Sequence, residues 1–154
     1  MIALALLAAA STFHTTGFVA GWEMVQGSAG ECGAAAQFHD STLFLITLAP
    51  GEETARVAVA NAAWRSIQPG QRYSVRVSLN GKAIDITGTG AEINTLNAIR
   101  LDINRGEIIR ALFMRNPISF DVDGTKLFRM TANSNDPVYA LTQCAKGAND
   151  PLAR

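Results

Sequence analysis

Between residues 72 and 79 the chain reads RYSVRVSL, and apolar residues fall at every second position. Tyr73, Val75, Val77 and Leu79 share one face; Arg72, Ser74, Arg76 and Ser78 share the other. That is the pattern of a strand in an antiparallel sheet with one face buried and one face wet. Asn80-Gly81 supplies two residues that tolerate positive φ, as a tight hairpin turn requires, and Ile84 and Ile86 are expected to continue the apolar face on the return strand. ISFDVDGTKLFRMTA alternates in the same way around Asp123-Gly124 and predicts a second hairpin. TLFLITLA, residues 42–49, is instead an unbroken apolar run between the turn-like HDS and PGEE, and predicts a buried strand. In TARVAVANAAW, Val57 and Val59 alternate with Ala58 and Ala60, and Pro50-Gly51 suits a hairpin between these two runs.

The period changes at NRGEIIRALFMRNP. Asn104 stands where a cap belongs, Glu107 follows three residues later where it could reach back, and Ile108, Ala111, Leu112 and Arg115 recur at helical spacing until Pro117 bars continuation. This predicts a short helix over about 105–115. A second helix is predicted from Asp136 as cap and Pro137 at the first position to Gly147 just past the end, with Val138, Leu141 and Cys144 on one buried face. The elements together predict an α+β fold: mainly antiparallel β-sheet, with two short helices in the C-terminal half. At 154 residues one domain is expected, over 21–148, with 149–154 as a flexible tail.

Residues 1–20 read as a signal peptide and leading segment. Ile2 to Ala10 are all apolar, and Ala8 and Ala10 give a small-x-small cleavage pattern before the polar Ser11 and Thr12, so cleavage is expected near residue 10. No Lys or Arg precedes the run, which a start codon placed too far downstream would explain; the competing reading is a buried first strand or helix. No cysteine follows the run to carry a lipid anchor.

Export makes the two cysteines, Cys32 and Cys144, a disulfide pair with one possible connectivity. They are not CxxC, and they are too few for structural zinc. The bridge is expected to tie the first strand to the last helix. Two free buried thiols are the alternative, favoured by a cytosolic setting.

Charge and motifs then exclude more than they assign. Lys+Arg and Asp+Glu both total 13, so there is no basic excess for a nucleic-acid backbone, and no apolar run reaches membrane-span length. His39-Asp40-Ser41 has the composition of a triad, but adjacent residues cannot form one. DVDG at Asp121 lacks the later ligands of a calcium loop, and GTGAEI from Gly88 lacks the third glycine of a dinucleotide fingerprint and reads as strand end and turn. Glu52 and Glu53 are adjacent in a loop and fit a glycosidase pair poorly. Arg100, Arg105, Arg110 and Arg115 make no single helical stripe and read as solvated surface, whereas Trp22 and Trp64 read as core aromatics. No catalytic, cofactor-binding or metal-binding residues are assigned.

The pattern NAAW.SI..G..Y.V.V (Asn61, Trp64, Ser66, Gly70, Tyr73), with the terminal P..AL..C, resembles small exported proteobacterial proteins of unassigned activity. The C-terminal third also resembles the invasion-associated locus B family, whose further cysteines are absent here. Neither resemblance carries catalytic residues onto this chain. The expected role is a non-enzymatic, periplasmic or secreted binding domain of the bacterial cell envelope. Arg72 and Arg76 form its interaction surface, the partner is a protein or envelope component rather than nucleic acid, and an inhibitor is one form it could take. The alternatives are a small envelope enzyme with a dispersed site at His39, Asp40 and Arg76, and a structural envelope component.

Overall fold

Alternation builds a single sheet of ten antiparallel strands, closed on its inner face by two helices. The computed structural model describes residues 12–148 and 150–152. In chain order the elements are β1 (Phe13–Val19), β2 (Trp22–Gly27), β3 (Cys32–Gln37), β4 (Leu43–Leu48), β5 (Thr54–Ala60), β6 (Arg72–Leu79), β7 (Lys82–Ile93), β8 (Leu96–Asn104), α1 (Arg105–Phe113), β9 (Ile118–Val122), β10 (Thr125–Met130) and α2 (Asp136–Gly147). Across the sheet they run β1-β2-β3-β4-β5-β8-β7-β6-β9-β10. The expected α+β class holds, as do the hairpins at Asn80-Gly81 and Asp123-Gly124, where all four residues have positive φ.

The sheet curls until its two halves touch. Phe44 on β4 stacks on Phe128 of β10 with ring centroids 5.8 Å apart, although β5, β8, β7, β6 and β9 lie between them in the sheet order. Phe120 also stacks on Phe128, at 5.6 Å, and Trp22 meets Phe44 edge-on at 5.8 Å. Such aromatic pairs add about 0.5–1.5 kcal/mol each beyond the area they bury. Inner-face residues such as Ile46, Val57, Val75 and Leu101 complete the main core with Ile108 and Leu112 of α1 and Leu141 of α2. A second cluster, including Val25, Leu43, Leu45, Ala58 and Ala98, lies on the outer face. The middle of the sheet is therefore buried on both sides, which explains the unbroken apolar run of β4.

Cys32 and Cys144 are bonded, with Cα atoms 6.0 Å apart across 112 residues of chain. Cys32 opens β3 rather than the first strand, because β1 and β2 precede it. The bond pins α2 over β2 and β3, where Val138, Leu141 and Ala145 are buried.

Several expectations are corrected in detail. Residues 13–19, expected to belong to a leading segment, form β1 and are paired along β2; the apolar run Ile2–Ala10 lies outside the described residues. Gly88 and Gly90 sit inside β7, not at a strand end, because the chain needs their missing side chains. A Cβ on Gly90 would meet the Gln68 carbonyl oxygen at 1.9 Å, where the 61–71 loop crosses. Asn104 does cap α1, accepting from the Glu107 N–H at 3.0 Å, but the Glu107 carboxylate accepts from Asn80 at 2.8 Å instead of reaching back. Arg115 falls outside α1 with φ 55. On α2 the cap position is Asn135, the Asp136 N–H donates to the Ser134 hydroxyl at 3.1 Å, and Gly147 lies in the last turn. Ile84 shares the inner face with Val77 but is 46% exposed, because α1 packs chiefly over β5, β6 and β8.

On β6 the burial alternates as expected: Val75 is fully buried and Arg76 exposed. Val75→Asp places an unpaired carboxylate in the core and is expected to cost at least about 3 kcal/mol, lowering the melting temperature by roughly 10 °C. Arg76→Ala is expected to leave the melting temperature close to that of the wild type. Equal losses would mean that both faces of β6 are structural.

Candidate functional site

The exposed row of β6 gives the outer face its chemistry. Arg72, Ser74 and Arg76 point away from the core, held there by the burial of Tyr73, Val75 and Val77 between them. Across the ladder, Arg76 stands opposite Asp85 on β7 and Asp121 on β9. Its guanidinium forks onto Asp85, with Nε to Oδ1 at 2.9 Å and the second contact at 3.1 Å. The hydrogen bond holds the Asp85 carboxyl below the usual carboxylate range and raises Arg76 further. Asp123, in the adjoining turn, accepts from the Ser74 N–H at 3.3 Å, so the strand and its charges are tied to the β9–β10 hairpin. The surface is open, and Arg76 is balanced locally by Asp85.

His39 and Asp40 lie elsewhere, in the β3–β4 turn, and Arg76 is not brought to them. Asp40 accepts from the Thr42 N–H at 3.0 Å, the bond that chiefly lowers its pKa, and Ser41 takes a positive φ of 65°. The Asn61 amide donates to the Asp40 carbonyl and to the Thr42 hydroxyl, at 3.2 and 2.9 Å. Asp40 thus shapes its own turn. His39 is exposed and borders two clefts, of about 570 and 310 Å³, with Phe38 common to both. Among the described residues His39 has no hydrogen bond or ion pair, and Arg76 lines neither cleft.

The remaining motif residues are structural. Trp22 is buried and Trp64 half-buried against the main core. Asn61, Trp64, Ser66, Gly70 and Tyr73 organise one loop. Asn61 caps its start by accepting from the Ala63 N–H, the Tyr73 hydroxyl takes the Gln68 N–H and donates to the Ser66 carbonyl, and Gly70 bonds the Gly90 carbonyl. Asp121 to Gly124 is the end of β9 and its turn, and among the described residues no group of three or more His, Cys, Asp or Glu could hold a metal ion. Glu52 and Glu53 are exposed in the β4–β5 turn, where the Glu53 carbonyl accepts from the Arg105 N–H at 2.9 Å.

Arg105 overturns the expectation of a solvated arginine. It is buried at the start of α1, 2.7 Å from Asp150, and donates to the Ala49 carbonyl. Asp150 also accepts from the Gly51 and Leu152 N–H groups at 3.1 and 3.0 Å. Residues 150–152, expected in a flexible tail, are therefore latched to the β4–β5 turn. The ends of three segments meet at that point, and no local pattern announces it.

Among the described residues no helix is long and apolar enough to cross a membrane. No family model, curated protein or solved structure matches this chain.

Burial alone would raise the Asp150 carboxyl, but the Gly51 and Leu152 amides and the Arg105 guanidinium outweigh it and hold the pKa below the ordinary value. A depressed carboxyl stabilises the fold above its unfolded pKa of about 3.9, and loses that contribution as pH falls through the folded value. Asp150→Asn is expected to cost about 3 kcal/mol at pH 7, and the gap to wild type should shrink below about pH 4. Urea unfolding of both proteins at pH 7 and pH 3 measures it; a gap independent of pH would contradict this account of the latch.

Proposed function

We propose that the chain is an exported, non-enzymatic binding domain of the bacterial cell envelope that engages a protein partner through the outer face of β6, β7 and β9. The observation that carries this reading is the exposed row of Arg72, Ser74 and Arg76 on a strand whose alternate residues are locked in the core. A backbone fixed in this way loses little freedom when a partner arrives. The Arg76–Asp85 fork further reduces the motion of the surface. The Cys32–Cys144 bond supports export, since such bonds persist in oxidising compartments, and the apolar Ile2–Ala10 run supports a cleaved signal. An inhibitor of a wall-degrading enzyme is one form of this role, by analogy with small disulfide-bonded periplasmic proteins.

The test is affinity capture from the host's envelope fraction with wild-type protein and with the Arg72→Glu/Arg76→Glu double variant, followed by mass spectrometry. A defined partner held by the wild type and lost at least about tenfold by the variant is expected. An empty capture beside measurable turnover on a substrate panel would overturn the reading, as would recovery of the protein with Met1 intact from the cytosol.

A further inference from the structure

The register places Arg72 opposite Thr89, and Thr89 opposite Arg100, so β6, β7 and β8 each contribute one residue to a single row on the outer face. Neighbouring strands are about 4.8 Å apart, which sets the two arginine stems about 10 Å apart with the Thr89 hydroxyl between them. Ser74 and Thr87 face each other in the adjacent row and add two more hydroxyls. Two other arginines on this face stand beside acids: Arg76 forks onto Asp85, and Arg56 lies 3.7 Å from Asp102. The side chains of Arg72 and Arg100 have no hydrogen bond or ion pair among the described residues.

We infer that Arg72 and Arg100 form a two-pronged site for an acidic segment of a protein partner, with one carboxylate on each guanidinium and the Thr89 hydroxyl between them. This deepens the binding role proposed above and rests on it. The guanidinium fork matches a carboxylate with two parallel hydrogen bonds. Acidic residues two apart in an extended segment stand about 7 Å apart on one face, within the lateral reach of two arginine side chains standing about 10 Å apart. An anionic membrane is the weaker match, because lipid surfaces are held by clusters of about four to eight cations. Here Arg76 and Arg56 stand beside Asp85 and Asp102, so this row offers two cations rather than a cluster, and the other exposed cations of the face, Lys126 and Arg129, lie on β10, two strands beyond β6.

The probe is a fluorescently labelled decaglutamate peptide, titrated by anisotropy in low salt against the full chain; in a parallel arm the full chain is titrated with phosphatidylcholine vesicles that contain phosphatidylserine as the anionic lipid. Arg72→Gln and Arg100→Gln are each expected to weaken binding about tenfold, or about 1.4 kcal/mol, and the double variant about a hundredfold. Arg72→Lys/Arg100→Lys keeps the charge but not the fork and is expected to fall between. Arg110→Gln, on exposed α1 surface, should match the wild type. Unchanged melting temperatures would show that all the variants fold. The site is refuted if wild type does not bind the peptide, if the double variant binds as well as wild type, or if anionic vesicles bind with the same arginine dependence and more tightly. If the Arg72→Gln/Arg100→Gln variant still captures the envelope partner, the site falls and the binding role stands. If the peptide binds as expected but no envelope partner exists, the site stands and the role falls.

Discussion

The Cys32–Cys144 bond is the constraint on which the rest of the structure depends. A curled sheet with two free edges must cover its inner face, and α2 is the element that covers β2 and β3. A helix of 12 residues is marginal by itself in water. The bond makes its position over β3 a property of the covalent chain. In the chain-entropy model, closing a loop of about a hundred residues is worth roughly 4 to 5 kcal/mol, which is a large fraction of the stability of a small domain. With α2 held, the segment that follows it arrives beside α1, and Asp150 reaches the buried Arg105. The ion pair then closes over the β4–β5 turn through Ala49 and Gly51. Disulfide and latch act in series on the same helix, one on its inner face and one beyond its end.

The sheet divides labour by parity. Even an interior strand such as β6 sends one row of residues to the core and the other to solvent, so packing and exposed charge are written into alternate positions of the same eight residues. The inner row is unforgiving, as the close contacts at Gly88 and Gly90 illustrate. A Cβ on Gly88 would approach Leu101 and Val75 at 2.7 and 2.9 Å. The outer row of β6 is free to carry charge, and its rigidity is supplied from beneath. In β4 both rows are buried, and in β5 nearly so, because the sheet carries an apolar cluster on its outer face there as well.

The parts of this architecture that rest on local chemistry were legible in the amino-acid order. Alternation marked β6, β9 and β10, the unbroken run marked β4, and the Asn104 cap with Pro117 bounded α1 closely. Three strands were missed: β1, β8, and β2, whose WEMVQG is buried at almost every position and offers no alternation to read. In β8, Ile99, Leu101 and Ile103 alternate with Arg100, Asp102 and Asn104, a signal that was present but obscured by the five-residue arginine spacing. In β1 the pattern FHTTGFV is mostly exposed, with a bulge between Thr15 and Gly17, and carries little periodic signal. The Arg105–Asp150 pair and the Arg72–Thr89–Arg100 row have no local signature at all. One depends on where α2 ends in space and the other on strand register, and both are fixed only by the assembled fold.

The central claim is that the covalent clamp, rather than the packing of α2 alone, keeps the inner face closed. Native-state hydrogen exchange on oxidised and reduced protein tests it most directly. In the oxidised protein the buried-face amides of α2, around Leu141 and Ala145, should open only with the global unfolding that releases β4 and β5. After reduction those amides should exchange through a separate opening of lower free energy, while β4 and β5 stay protected. Exchange of α2 that is unchanged by reduction, or that already precedes the sheet in the oxidised protein, would contradict the account.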